Sequence, residues 1–241
     1  MTIEIKGLTK HYKEIVVVDQ LSLCIEKGEF FALLGQNAAG KTTTIKMLCG
    51  LLPPTDGDAI LDGESIVYHQ VAAKKKINIS PQETAVAPNL TVLENLLFMG
   101  QIYGCSKIEA KKRANAQMNL FGLTPRQSSK AKTLSGGYMR RLSVAMAMMS
   151  NPKILFLDEP TLGMDVRARR DLWKILSQLK GEVTIVLTTH YLEEVEMLAD
   201  RVGIMHRGKM RALGTIQQLM HETKKHSLEE VFLELTEEDS L

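Results

Sequence analysis

The sequence predicts an α/β protein whose helices pack on a mostly parallel sheet, and two observations carry that expectation. The short continuous apolar runs "FFALLG" (30–35), "KILFLDEP" (153–160) and "VTIVLTTH" (183–190) suit strands buried on both faces. Helix-patterned segments alternate with them, as crossover connections between parallel strands require. The chain has 241 residues, enough for one substantial core or one core with a subdomain.

The elements follow in order. "TIEIKGL" and "IVVVDQLSLCI" read as strands, closed by "EKGE". After "FFALLG", the segment "KTTTIKMLCGLL" reads as a helix that stops at Pro53-Pro54. "DGDAILDGESI" reads as a hairpin-like return. From about Glu83 to Ser150 the pattern turns helical and interrupts the α/β alternation, which predicts an inserted helical subdomain. It contains "VLENLLFMGQIYG", then a capping-box pattern (Ser106 with Glu109) ahead of "AKKRANAQMNLFG", then "GGYMRRLSVAMAMMS", whose methionines read as core packing. The strand "KILFLDEP", the helix "RARRDLWKILSQLKG", the strand "VTIVLTTH" and the helix "YLEEVEMLADR" come next. A hairpin, "RVGIMHRGKMRALG", and two small helices end the chain, the last capped by Ser227 with Glu230.

Composition narrows the function. The net charge of +2 is small, and "KKK" at Lys74 reads as solvated surface, so no nucleic-acid partner is expected. "MTIEIKGLTKHYK" has no apolar block and is not a secretory signal. No apolar run approaches the ~18 residues that span a bilayer, so a link to a membrane is expected to go through a partner. Cys24, Cys49 and Cys105 lack metal-ligand spacing and read as reduced cytosolic thiols.

The chemistry lies at the strand ends. Gly35, Gln36, Asn37, Ala38, Ala39, Gly40, Lys41 and Thr42 fit G-x-x-x-x-G-K-[ST], between a strand and a helix. The loop amides can cradle phosphates, Lys41 can reach the β- and γ-phosphates, and Thr42 can bind Mg²⁺. "ILFLDEP" delivers Asp158 and Glu159 to the carboxyl edge of the sheet. There Asp158 can hold Mg²⁺, or else cap a helix, and Glu159 can orient or deprotonate water. His190 ends another strand and should reach the same edge, near a γ-phosphate. Gln82, in "ISPQET", can contact Mg²⁺ or water where the helical block begins. "LSGGY", from Leu134, is a second candidate anion grip nearly a hundred residues away, at a helix start.

A phosphate loop, Gln82, "LSGGY", "LFLDEPT", "LGMD" and His190, in this order, resemble the ATP-binding subunit of an ABC transporter over essentially the whole chain. The resemblance implies a P-loop NTPase core with an antiparallel β subdomain and an inserted α-helical subdomain, using ATP and Mg²⁺. It extends the ATP-binding set to Tyr12, as the aromatic that stacks on adenine, and to Thr43. It also implies head-to-tail pairing with a second copy or a homologous ATPase subunit, Ser135, Gly136 and Gly137 contacting the γ-phosphate held by the partner. An integral membrane subunit is the other expected partner, with this chain on the cytoplasmic face of the cell membrane. Three departures stand out: Ala38 where the family has Gly, Tyr138 for Gln, and "LGMD" for "SGLD" with Asp165 kept. The loop is expected to function with Ala38, at a cost on the order of 1 kcal/mol if that residue has positive φ. "SLEEVFLELT" and the segments around Asp158 and His190 resemble exporters of drugs, peptides, glycans and haem-related cargo. The alternatives are an importer ATPase, or a soluble ABC protein acting on ribosomes or DNA.

Overall fold

A computed structural model describes residues 1–237. Within them β1 (Ile3–Tyr12), β2 (Ile15–Ile25), β4 (Asp56–Leu61) and β5 (Glu64–Ser65) form an antiparallel sheet in the order β2-β1-β4-β5. A second sheet has the order β10-β9-β3-β8-β7-β6. It contains β3 (Phe30–Leu34), β6 (Ile77–Ser80), β7 (Ile154–Asp158), β8 (Thr184–Thr189), β9 (Arg201–His206) and β10 (Lys209–Gly214). All its pairings are parallel except that of β9 with the edge strand β10. The mostly parallel sheet and the antiparallel N-terminal unit therefore agree with the sequence expectation.

Side-chain alternation explains why the central strands read as unbroken apolar runs. On β3, Phe31 and Leu33 face the cluster shared with the antiparallel sheet and α1 (Lys41–Leu48). Phe30 faces the opposite cluster, with the helices. On β7, Ile154 and Phe156 join the first cluster, Leu155 and Leu157 the second. Every residue of β3, β7 and β8 is buried, and each fully buried Leu, Ile or Phe contributes roughly 1.5–3 kcal/mol. A third cluster packs Ala32, Leu34, Val202 and Ile204 against the helices α7 (Leu192–Leu198), α8 (Ile216–Thr223) and α9 (Leu228–Thr236).

Between β6 and β7 the chain forms α3 (Val92–Ile102), α4 (Lys107–Leu120) and α5 (Gly136–Met148), and α6 (Val166–Ser177) follows β7. Apolar residues of α3 to α6 share one cluster with β7 and β8. Two elements were not legible in the sequence: β6 ("INIS") and α2 (Gln70–Lys76), whose last turn holds the three lysines at 74–76.

The capping chemistry differs in detail. Ser106 accepts from the Glu109 amide, but the Glu109 carboxylate turns to Arg113 at 2.8 Å, so only half of the expected box forms. Ser227 accepts from the Glu230 amide, while Glu230 takes the His226 amide. The complete capping boxes are Thr91 with Glu94 and Thr215 with Gln218.

Candidate functional site

Three adjacent strands converge at their carboxyl ends. In parallel register Leu34 lies beside Thr189, and Asp158 beside Thr188. The loop after β3, the Asp158-Glu159 pair after β7 and His190 after β8 thus leave the sheet along one edge, where open α/β sheets hold ligands.

The loop after β3 runs into α1, whose N-cap is Gly40 at φ 105°. A Cβ there would sit 2.6 Å from the Val17 carbonyl oxygen, so only glycine fits. No side chain caps α1 and its first turn holds no acid, so its free amides and positive dipole end suit an anion. The turn after β9 braces the loop, since the Gly208 amide donates to the Ala39 carbonyl at 3.0 Å. Lys41 is buried and donates to the carbonyls of Gly35 (2.8 Å) and Gln36 (3.0 Å) within its own loop. Its Nζ also lies 3.4 Å from Glu159 Oε1. Burial pushes the Lys41 pKa down, while Glu159 and, more weakly, Asp158 hold it up.

Ala38 has φ 64° and is exposed. A non-glycine residue in the left-handed region costs roughly 1–2 kcal/mol, partly offset in the unfolded chain, where alanine has about 0.4–1 kcal/mol less entropy to lose than glycine. Ala38→Gly is therefore expected to raise Tm by up to about 3 °C and to leave turnover at the site unchanged or slightly higher. A lower Tm, or a large loss of turnover, would show that the Ala38 methyl group makes a contact of its own.

Behind the loop, Asp158 Oδ1 accepts from Thr42 Oγ1 at 3.0 Å and from Thr188 Oγ1 at 2.6 Å. A hydroxyl and a carboxylate side by side at the phosphate loop form a hard oxygen set that fits Mg²⁺, which commonly uses one or two protein oxygens together with substrate phosphates. No cluster of three or more His, Cys, Asp and Glu side chains suited to a metal occurs among the described residues. A Mg²⁺ here would therefore complete its shell from phosphate and water.

Glu159 Oε2 lies 2.6 Å from His190 Nδ1. With that nitrogen protonated, His190 donates to the carboxylate. Glu159 also has positive φ, at 48°. Its amide donates to the Thr188 carbonyl and hydroxyl at 3.1 and 3.2 Å, which holds the turn in this uncommon conformation.

A cavity of about 720 Å³ gathers Asn37 to Thr43, Gln82, Glu159 and His190. Its apolar wall includes Ile15, Val16 and Val17 of β2. Tyr12 stands opposite Ile15 on β1 and is not part of the lining; Lys10 lies over its ring at 5.4 Å. Gly35 and Gln36 act through their carbonyls on Lys41, and Asp158 sits behind Thr42. Ser135, Gly136 and Gly137 lie outside this cavity, at the start of α5, where Ser135 is the N-cap and accepts weakly from the Tyr138 amide at 3.5 Å. Ser135 and Gly137 line a separate cleft with Tyr138 and Asp165.

Sequence reasoning missed several residues in and around the site. Thr188 bridges Asp158 and Glu159, and could have been found from the register of two buried parallel strands. Ile15 and Val16 are exposed apolar residues whose place beside the loop depends on how the two sheets meet. Arg140, 5% exposed, stands on the apolar face of α5 with Ser143, Val144 and Ala147. A basic residue at that spacing signals a buried cation that needs acceptors.

The ABC transporter family model matches residues 18–162. The chain is 43% identical over 214 residues to the linearmycin resistance ATP-binding protein LnrL of Bacillus subtilis, covering 88% of this chain and 69% of LnrL. It is 40% identical over 217 residues to the human phospholipid-transporting ATPase ABCA3, of which it spans only 13% while 88% of this chain is covered. Among solved structures, an ATP-binding subunit of an ABC transporter superposes with TM-score 0.87 at 29% identity, over 98% of this chain and 100% of that one. The ATP-binding cassette MJ0796, a dimer in a post-hydrolysis state bound to ADP and Pi, superposes with TM-score 0.79 at 26% identity, over 88% of this chain and 98% of that one.

Proposed function

From the premise that this chain belongs to the ABC transporter family, as an ATP-binding subunit and ATPase, we propose that it powers export through a separate membrane subunit. Among the described residues no helix is long and apolar enough to cross a membrane. The export direction is supported by the similarity to LnrL, a linearmycin resistance ATP-binding protein. On this reading the chain sits at the cytoplasmic face of the membrane.

The observation that carries the catalytic reading is the meeting of Lys41, Glu159 and His190 in one cavity. ATP phosphates would enter the loop 35–43, with the α1 amides and Lys41 as donors. Thr42 and Asp158 would hold Mg²⁺, which supplies charge neutralisation at the phosphates. Lys41 now spends its donors on two carbonyls and Glu159. Transfer of Lys41 to phosphate would free the Glu159 carboxylate to orient and deprotonate water, with His190 holding it in place. Gln82 would sense the bound nucleotide from the cavity rim. Ile15 and Val16 add an apolar surface beside Tyr12 for the base.

We assign Ser135, Gly136 and Gly137 to the ATP of a second ATPase subunit, and the absence of all three from the lining of the chain's own phosphate cavity supports this. The test mixes two inactive variants, Ser135→Arg and Lys41→Ala. In the trans arrangement one site of the mixed dimer combines an intact Lys41 with an intact Ser135, so part of the turnover should return. If mixing restores nothing, cross-linking decides the geometry, with Ser135→Cys on one chain and Asn37→Cys on the other. Asn37 is exposed, whereas a side chain at Gly40 would strike the Val17 carbonyl. Absence of an ATP-dependent cross-link between chains would remove the trans assignment.

A further inference from the structure

Arg140 has no part in the mechanism above, yet it is a buried cation in contact with the backbone of two residues of that site. It is buried one turn into α5, i+4 from Gly136 and i+3 from Gly137. Its Nη1 donates to the Pro81 carbonyl at 2.6 Å, and its Nη2 to the Gln82 carbonyl at 2.7 Å and, more weakly, to the Glu159 carbonyl at 3.4 Å. One guanidinium therefore touches the backbone on both sides of the Gln82 peptide and the backbone of Glu159, the residue held at positive φ. All three acceptors are main-chain oxygens, so the arrangement fixes backbone position and forms no ion pair. A planar fork with five N–H donors spans all three acceptors, whereas a lysine ammonium could reach only some of them. Burial lowers the Arg140 pKa, opposed by the charges of Asp158 and Glu194.

We propose that Arg140 is a positioning residue that ties the Gln82 segment and the Glu159 turn to the N-terminal end of α5, so that nucleotide contacts made in one chain set the orientation of the Ser135–Gly137 segment that this chain offers its partner. The physical argument is stiffness. Gln82 is exposed at the cavity rim and its segment has no regular secondary structure, so its backbone needs an outside anchor to move with a bound phosphate. Residues 135–140 are the cap and first turns of one helix, hence a rigid lever. The Arg140 side chain joins the two. A shift of the Gln82 carbonyl must either break short, charge-assisted hydrogen bonds to a buried cation or carry α5 with it. The inference rests on the nucleotide site proposed above.

The test uses the full chain, wild type and the variants Arg140→Met and Arg140→Lys, with Mg²⁺ and ATP. Titration calorimetry should give one ATP per chain for all three, with affinities within about 3-fold, because the phosphate loop is untouched. Turnover should fall by about 10-fold or more in Arg140→Met with KM unchanged, since a misplaced base costs rate and leaves binding intact. Arg140→Lys should recover part of that loss. The decisive readout is amide hydrogen exchange of residues 135–139 at concentrations where the chain is monomeric. ATP should change their exchange in wild type and leave it unchanged in Arg140→Met. The same ATP-dependent change in Arg140→Met, or none in wild type, would overturn the link. Parallel loss of binding stoichiometry and turnover would also overturn it, as would failure of both variants to fold, because Arg140 would then serve folding alone. Failure of wild type to bind ATP would instead refute the nucleotide site itself.

Discussion

Glu159→Gln is expected to retain ATP binding and to lower hydrolysis by roughly 10²–10⁴-fold, the range for losing one positioned base. Glutamine keeps the shape and can still hydrogen-bond His190, which lies 2.6 Å from the present carboxylate. It cannot take a proton from water. The geometry adds a consequence for binding. The carboxylate lies 3.4 Å from Lys41, whose ammonium the incoming phosphates need. Removing the negative charge ends that competition and lessens repulsion of the phosphates, so ATP affinity should be equal or higher. ATP would then keep the paired state closed, and mass in solution should shift towards twice that of the chain. Near-normal turnover in this variant would eliminate Glu159 as the base and make His190 the group to test.

Lys41→Ala is expected to abolish productive ATP binding. A charge-assisted hydrogen bond contributes roughly 1.5–3 kcal/mol, about 10- to 150-fold in affinity, and Lys41 is the loop's buried cation. The substitution has a second effect within the loop. The Gly35 and Gln36 carbonyls lose their common donor, and Glu159 loses its neighbouring positive charge. The loop's resting shape therefore depends on the same group that would bind phosphate. Thermal unfolding separates the two effects: folding should persist, because α1 and β3 remain packed by Ile45, Met47, Phe31 and Leu33. Unchanged nucleotide affinity and turnover would refute the phosphate-loop assignment.

The glycine-rich loop marked the start of α1 in the sequence, but the helix ends at Leu48, where Gly50 takes positive φ, and not at the Pro53-Pro54 stop that the sequence suggested. β3, β7 and β8 were legible because strands buried on both faces must be apolar throughout. The order of the motifs along the chain sufficed for the family and for most of the cavity lining. β6 and α2 escaped notice because each is short and takes its stability from neighbours rather than from its own pattern.

The sequence by itself thus determined the double-sided strands, the start of α1 and the family to which the motifs belong. Only the tertiary structure decided that Ala38 and Glu159 sit at positive φ, that Lys41 is held by Glu159 and by its own loop, and that Ile15 and Val16 join the cavity wall. It alone brought Thr42 to Asp158 across 116 residues and Arg140 to the Pro81 carbonyl across 59. Local pattern is written by neighbours within a few positions, and a reader of the chain can see it. Contacts across such separations exist only once separate clusters have packed the sheets and helices together, and no short window of sequence records how they meet.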